Sequence, residues 1–143
     1  MIEIREAKQS DVHEVHVLGE NVDEFHTSDQ APNFWPEQIL ADCVEKEDVY
    51  FLTAVNAGHV VGFIIANCSK SLSKVLIENI FVRPDMRGNT IGTLLARKIV
   101  EKAKTNGYQF ISVLTPPDDA AAIKTYEKAG FAKGETFLWL DVA

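Results

Sequence analysis

Two stretches of this 143-residue chain combine residue types that can do chemistry at spacings that matter. The first reads Val82-Arg83-Pro84-Asp85-Met86-Arg87-Gly88-Asn89-Thr90-Ile91-Gly92-Thr93-Leu94-Leu95. An apolar run ends, a polar loop containing glycine turns, and a helical period begins. The first amides of a helix lack intrahelical partners and stand at the positive end of its dipole, so this junction can hold a phosphate. Gly88 and Gly92 let the backbone approach a ligand without a Cβ in the way. Arg87 places a cation at the mouth. A strand-to-helix turn with a solvated arginine accounts for the same residues, and spacing leaves both readings open. Two better-known phosphate loops are excluded: no Gly-Lys-Ser/Thr closes the segment, and it holds no Gly-x-Gly-x-x-Gly. The second stretch is Asp119-Ala120-Ala121-Ala122-Ile123-Lys124-Thr125-Tyr126-Glu127-Lys128-Ala129-Gly130-Phe131. Ala122 and Tyr126 share one helix face. A phenol beside small alanines can reach into a cleft, or pack on a sheet with its hydroxyl at the edge.

The elements that must position these residues follow from periodicity. Ile2 to Ala7 alternates as a first strand, and Ser10 and Asp11 supply a helix N-cap and an acidic first turn. Val12, Val15, Leu18, Val22 and Phe25 follow at helical spacing. The pattern lapses from His26 to Trp35, and Pro36 opens a second helix to about Lys46. Val49 to Val55 and His59 to Ala66 are apolar runs joined by the hairpin loop Asn56-Ala57-Gly58. A fourth strand spans Val75 to Val82. The stripe Ile91, Leu94, Leu95, Ile99 and Ala103 makes a helix ending near Gly107, and Phe110 to Leu114 a fifth strand. A last helix stops at Gly130, and Phe131 and Phe137 to Val142 offer one or two closing strands. Hairpin strands followed by strand-helix-strand-helix require a mixed sheet: antiparallel at first, then a parallel pair across the helix after strand four. The expectation is one α/β domain over residues 1–143.

Composition agrees with a globular fold: 46% of residues are hydrophobic and 24% charged. No run approaches 18 apolar residues, so no membrane-spanning helix is expected. The start has no basic region followed by an apolar stretch, hence no secretory signal and a cytoplasmic expectation. Cys43 and Cys68 then read as reduced core thiols, and Asn67-Cys68-Ser69 as no glycosylation site. The net charge of −7 argues against duplex nucleic acid as a partner and permits attraction of cationic small molecules. His13 and His16 sit three apart on a helix, but no third ligand accompanies them, and no metal is expected.

Together the two stretches closely resemble the GNAT superfamily of N-acetyltransferases. That family's coenzyme A motif, Gln/Arg-x-x-Gly-x-Gly/Ala, is similar to Arg87-Gly88-Asn89-Thr90-Ile91-Gly92. Its later helix, Asn-x-x-Ala-x-x-x-Tyr-x-x-x-Gly-Phe, is matched by Asp119, Ala122, Tyr126, Gly130 and Phe131. Ile4-Arg5-x-Ala7-x-x-x-Asp11 looks like the family's usual opening. The resemblance implies a GNAT-like acyl-CoA acyltransferase fold: a mixed central sheet, antiparallel N-terminal strands, a parallel pair and helices on both faces. Thr90 stands where the family has its first motif glycine. A β-branched residue resists positive φ, so a negative φ is expected there, with the hydroxyl able to contact a phosphate oxygen. Asp119 replaces the usual Asn and, ionised, cannot donate a hydrogen bond.

The resemblance also implies direct transfer from acetyl-CoA to a primary amine in a ternary complex, with no metal. Ile80, Phe81 and Val82 would face the thioester and pantetheine at a splay between strands four and five. Arg87, Gly88, Asn89, Thr90, Ile91, Gly92, Thr93, Asp119 and Tyr126 would complete the cofactor site. The Val82 amide would stabilise negative charge on the carbonyl oxygen, and Tyr126 would protonate the thiolate. Glu78 lies four residues before Val82 and, on a regular strand, shares its face; it is the candidate base. Glu24 and His26 are weaker candidates. Residues 20–36 form the expected acceptor wall, acidic at Glu20, Asp23, Glu24 and Asp29 and aromatic at Phe25, Phe34 and Trp35. They suit a small-molecule or peptide amine. Phe137, Leu138, Trp139 and Leu140 can supply a core strand or a homodimer edge. A catalytically silent acyl-CoA-binding or sensing module has the same loop, and a nucleotide-phosphate binder is a third reading.

Overall fold

Strands as apolar as Val49–Asn56 and His59–Ser69 need cover on both faces, because a sheet with one wet face alternates polar and apolar residues. The computed structural model describes residues 1–22, 34–88, 90–134, 138 and 140. In it, among the described residues, β1 (Ile2–Glu6), β2 (Val49–Asn56), β3 (His59–Ser69), β4 (Lys74–Val82) and β5 (Phe110–Val113) lie side by side in chain order. β1 to β4 pair antiparallel and β5 runs parallel to β4. Helices α1 (Val12–Glu20) and α2 (Glu37–Glu45) pack on one face against Phe51, Phe63 and Ile65. Helices α3 (Ile91–Thr105) and α4 (Ala120–Lys128) pack on the other against Leu52, Ile64 and Ile77. The expected mixed sheet with helices on both faces is therefore the fold.

The tight β2–β3 turn holds the sheet in register. Asn56 pairs with His59, leaving Ala57 and Gly58 as a two-residue loop at φ 52° and 80°. Two positive φ values match the right-handed twist of the flanking strands. The α3 stripe is buried at Ile91, Leu95, Ile99 and Ala103, whereas Leu94 is exposed at the helix edge.

The expected strand at Phe131 does not form. Its amide donates to the Tyr126 carbonyl at 3.0 Å while the Gly130 amide donates to Glu127 at 3.0 Å. With Gly130 at φ 104°, this is a Schellman closure of α4, which commits the backbone that a strand would need. The Phe131 ring then packs edge-on against Tyr126 at 5.5 Å. Leu138 and Leu140 are exposed and in no strand; the rest of the expected Phe137–Val142 strand lies outside the described residues. Cys43 is buried and Cys68 half-buried, and burial pushes both thiols up, which keeps them protonated and unreactive.

Asp11 does not cap α1 with its side chain. Its carboxylate takes a two-pronged bond from Arg5 (2.6 and 3.1 Å), another from the Lys8 amide (2.8 Å) and one from Thr53 Oγ1 (3.3 Å). The cluster ties β1, β2 and the start of α1 together, which explains the Arg5-x-Ala7-x-x-x-Asp11 spacing. Burial alone would raise the Asp11 carboxyl, but the bonds from Arg5 and the Lys8 amide and the Arg5 charge outweigh it and hold the group below its ordinary value. A depressed carboxyl stabilises the fold above its unfolded-state pKa, and that stability is lost as pH falls through the folded value. Asp11→Asn should therefore cost about 2–4 kcal/mol near neutrality, because it removes the buried counter-charge of Arg5 and leaves only the exposed Glu3 carboxylate at 3.3 Å. In thermal melts the gap between variant and wild type should close as pH drops below about 4, and a gap independent of pH would contradict the ion pair's role.

Candidate active site

β4 has nine residues and β5 four, so the two cannot pair throughout. Pairing runs from Lys74 opposite Phe110 to Ile77 opposite Val113 and then stops. At the same point the ladder with β3 skips a residue. Ile65 faces Asn79 while Ala66 faces Ile77, which leaves Glu78 as a bulge. The extra residue reverses the alternation of β4. Val75 and Ile77 before the bulge, and Ile80 and Val82 after it, all pack on the α3–α4 side; Phe81 packs on the α1–α2 side.

The Arg83 amide donates to Val61 at 2.8 Å, and this sets the phase of the β3–β4 ladder. In that phase the N–H and C=O groups of Ile80 and Val82 point away from β3, into the gap that β5 has vacated. The Val82 carbonyl accepts from Arg87 Nε at 2.9 Å, and the guanidinium lies over the Phe81 ring at 5.5 Å. The gap opens into a cleft of about 830 Å³ that reaches both faces of the sheet. Arg87 thus folds over the end of β4. Arg83 forms a two-pronged pair with Asp85 at 3.1 and 2.7 Å.

The N-terminus of α3 lines the cleft at Ile91, Gly92 and Thr93. Their amides are the helix's first, before the Leu94 amide returns to Thr90 at 3.0 Å. Thr90 precedes them at φ 64° and ψ 11°, so the expected negative φ is wrong. The chain leaves β4 through a 3-10 turn at Pro84–Met86, passes Gly88 at φ 85°, and takes a second left-handed residue to lay α3 back on the sheet. The geometry of the reversal overrides the preference of a β-branched side chain, at a cost of about 1–2 kcal/mol. Gly92 is needed for a different reason: an added Cβ would lie 3.2 Å from Thr125 Cγ2, so glycine lets α4 approach α3. Asn89 lies outside the described residues.

Tyr126 is 4% exposed and lines the cleft from α4. Burial pushes its phenol well up, and the Asp119 charge adds to this, so the hydroxyl keeps its proton. Asp119 Oδ1 accepts the Ala122 amide at 3.1 Å and caps α4, a task for which Asp serves as well as Asn. Glu78 does not share the face of Val82, because the strand is bulged rather than regular at that residue. Its Oε1 accepts from Asn67 Nδ2 at 3.0 Å, on the α1–α2 side, where it still lines the cleft.

Trp35 lines the cleft on the same side of the sheet as Glu78. Its indole N–H donates to Asn79 Oδ1 at 2.7 Å, and its carbonyl accepts from His16 Nδ1 at 2.9 Å. Phe34 beside it packs on Phe63, with ring centroids 5.4 Å apart. His13 pairs with Glu37 and His16 with Glu20, so the two histidines turn to different partners. Glu24 and His26 lie outside the described residues. The Trp35–Asn79 bond joins residues 44 apart, and no sequence period signals it. Thr115, just past β5, is a further cleft residue that sequence reading missed.

A free helix end, a splayed β4–β5 pair and a phenol on the next helix agree with the acetyltransferase (GNAT) family model, which matches residues 15–131. The chain belongs to that family. Among sequence relatives it is 36% identical over 94 residues to an uncharacterized N-acetyltransferase of Methanocaldococcus jannaschii, covering 62% of this chain and 41% of the other. It is 34% identical over 87 residues to the N-acetylaspartate synthetase of Danio rerio, covering 60% of this chain and 31% of that protein. The chain thus spans less than half the length of either relative. Among solved structures, the GNAT fold here superposes on the PaiA N-acetyltransferase of Thermoplasma acidophilum in complex with coenzyme A. The TM-score is 0.80 at 18% identity, over 96% of this chain and 93% of that one. The ribosomal-protein-S18-alanine N-acetyltransferase of Escherichia coli gives 0.74 at 21% identity, over 94% and 80%. At these identities the likeness is one of fold.

The left-handed Thr90 generates a test. Thr90→Gly should relieve the steric cost and lose part of it to unfolded-chain entropy, for a net stabilisation of up to about 1 kcal/mol. Urea titration of the two proteins checks this, and a clear destabilisation would mean that the Thr90 side chain contributes more than its backbone costs.

Proposed function

We propose that this GNAT domain is an acetyl-CoA-dependent N-acetyltransferase acting on a primary amine by direct attack in a ternary complex. The observation that carries the reading is the splay: unpaired β4 backbone groups and the first α3 amides open into one cleft, with Tyr126 on one face of the sheet and Glu78 on the other. The free amides of Ile91, Gly92 and Thr93 suit the pyrophosphate of coenzyme A. The outward N–H and C=O of Ile80 suit the amide-bearing pantetheine arm. When bound, acetyl-CoA supplies a thioester carbonyl open to a neutral amine.

The protein's own groups would then act in sequence. Glu78, on the acceptor side, takes a proton from the incoming ammonium directly or through water. The Val82 amide, directed into the gap, donates to the carbonyl oxygen as negative charge grows there. As the C–S bond breaks, Tyr126, kept protonated by burial and by Asp119, gives its proton to the departing sulfur, and the second proton shed by the acylated nitrogen restores the phenol by way of solvent. Trp35 and Phe34 line the acceptor side and suit an amine carried on an apolar or amphipathic body, with Glu78 receiving its positive charge.

Tyr126→Phe should bind coenzyme A as the wild type does while transfer falls at least about tenfold. Unchanged turnover would remove Tyr126 from the acid role. Glu78→Gln should lower the rate most at the acid end of the pH profile, where deprotonating the amine is hardest; a profile of unchanged shape would argue against a base there. A mass-spectrometric screen of polyamines, aminoglycosides, peptide N-termini and arylalkylamines with acetyl-CoA tests the activity itself. Coenzyme A binding without transfer to any class would favour an acyl-CoA sensor instead.

A further inference from the structure

Among the described residues, one buried side-chain nitrogen or oxygen lacks a hydrogen-bond partner: Thr115 Oγ1. An unmade bond leaves a buried group with its full desolvation cost, so such atoms are rare and ask for a reason. The local cause is visible in the sequence. A threonine hydroxyl in a loop ordinarily bonds a backbone amide up to two residues ahead. Here the next two residues are Pro116 and Pro117, which have no N–H to offer. Pro116 also holds the Thr115 backbone extended.

Its position is equally specific. Thr115 follows the last β5 residue, Val113, by two positions, where β5 has parted from β4, and it lines the cleft. Across that gap Ile80 and Val82 present their outward backbone groups. A chain lying between the two strands would find donors and acceptors on the β4 side and a hydroxyl on the β5 side. A threonine hydroxyl both donates and accepts, and a change of χ1 well is the motion that would offer it to a chain in the gap.

We propose that Thr115 is a binding residue for the pantetheine arm of acyl-CoA, its hydroxyl pairing with a secondary amide of that arm. The inference rests on the acetyl-CoA reading above. Free protein carries an unsatisfied hydroxyl that the arm satisfies, so the same group weakens the fold and strengthens binding.

Thr115→Val, nearly isosteric, removes the hydroxyl, and Thr115→Ser keeps it. Calorimetric titration with coenzyme A, and with adenosine 3′,5′-bisphosphate as a nucleotide lacking the arm, separates the two ends of the ligand. Thr115→Val should raise the melting temperature by about 2–4 °C. It should weaken coenzyme A binding about three- to tenfold and leave the bisphosphate unchanged. Thr115→Ser should bind coenzyme A as the wild type does. Unchanged coenzyme A affinity in Thr115→Val would overturn the proposal. So would an equal loss for both ligands, which would mark a loop effect, or a lowered melting temperature, which would show the hydroxyl already paired. Wild-type protein that fails to bind coenzyme A would overturn the acetyl-CoA reading and this inference with it. Binding by the wild type with no change in the valine variant would overturn this inference alone.

Discussion

A nine-residue strand beside a four-residue one leaves β4 with backbone groups that the sheet cannot pair, and the site grows out of that mismatch. Unpaired buried N–H and C=O groups are costly, so a protein must fill, cover or use the gap. This one does some of each. Arg87 reaches back to the Val82 carbonyl, α3 starts at the rim, and Tyr126 stands on the next helix. The bulge at Glu78 sits where the pairing ends and gives one strand two faces of chemistry: backbone and apolar side chains toward α3, a carboxylate toward α1.

The charge of the chain sharpens the role of the backbone. At −7 overall, the protein sets an unfavourable field for an anionic nucleotide. Arg83 is committed to Asp85, and Arg87 to Val82 and Phe81. Arg87 keeps its charge on these neutral partners, so the positive potential at the rim of the cleft comes from its guanidinium together with the α3 amides that follow the left-handed Thr90. The Arg5–Asp11–Thr53 cluster does a corresponding job at the other end of the sheet, fixing α1 so that Trp35 can be held from His16 on one side and Asn79 on the other.

The fold was largely legible in the sequence because its elements are strongly periodic. Continuous apolar runs gave the interior strands, the stripe from Ile91 to Ala103 gave α3, and Gly130 marked the end of α4. What misled was conformation set by long-range geometry. Thr90 by its own preference avoids positive φ, yet the reversal from β4 into α3 demands it. Glu78 by simple alternation shares a face with Val82, yet a skipped residue in the β3 ladder moves it to the other. Phe131 has strand propensity, but its amide closes a helix. The cleft's composition was legible only where a motif spans consecutive residues. Trp35 meets Asn79 through the sheet, and Thr115 shares with β4 only the lining of the cleft, and neither leaves a spacing to read.

Among the described residues the sheet is also a partition, opened at the β4–β5 gap. Tyr126 and the α3 amides stand on one side of it, while Glu78 and Trp35 stand on the other. For the proposed reaction, donor and acceptor would enter by separate doors and meet only at the gap. Neither would have to leave before the other could, so the order of arrival becomes a matter of kinetics rather than of access. Spent coenzyme and an unreacted amine could then occupy the protein together as a dead-end complex.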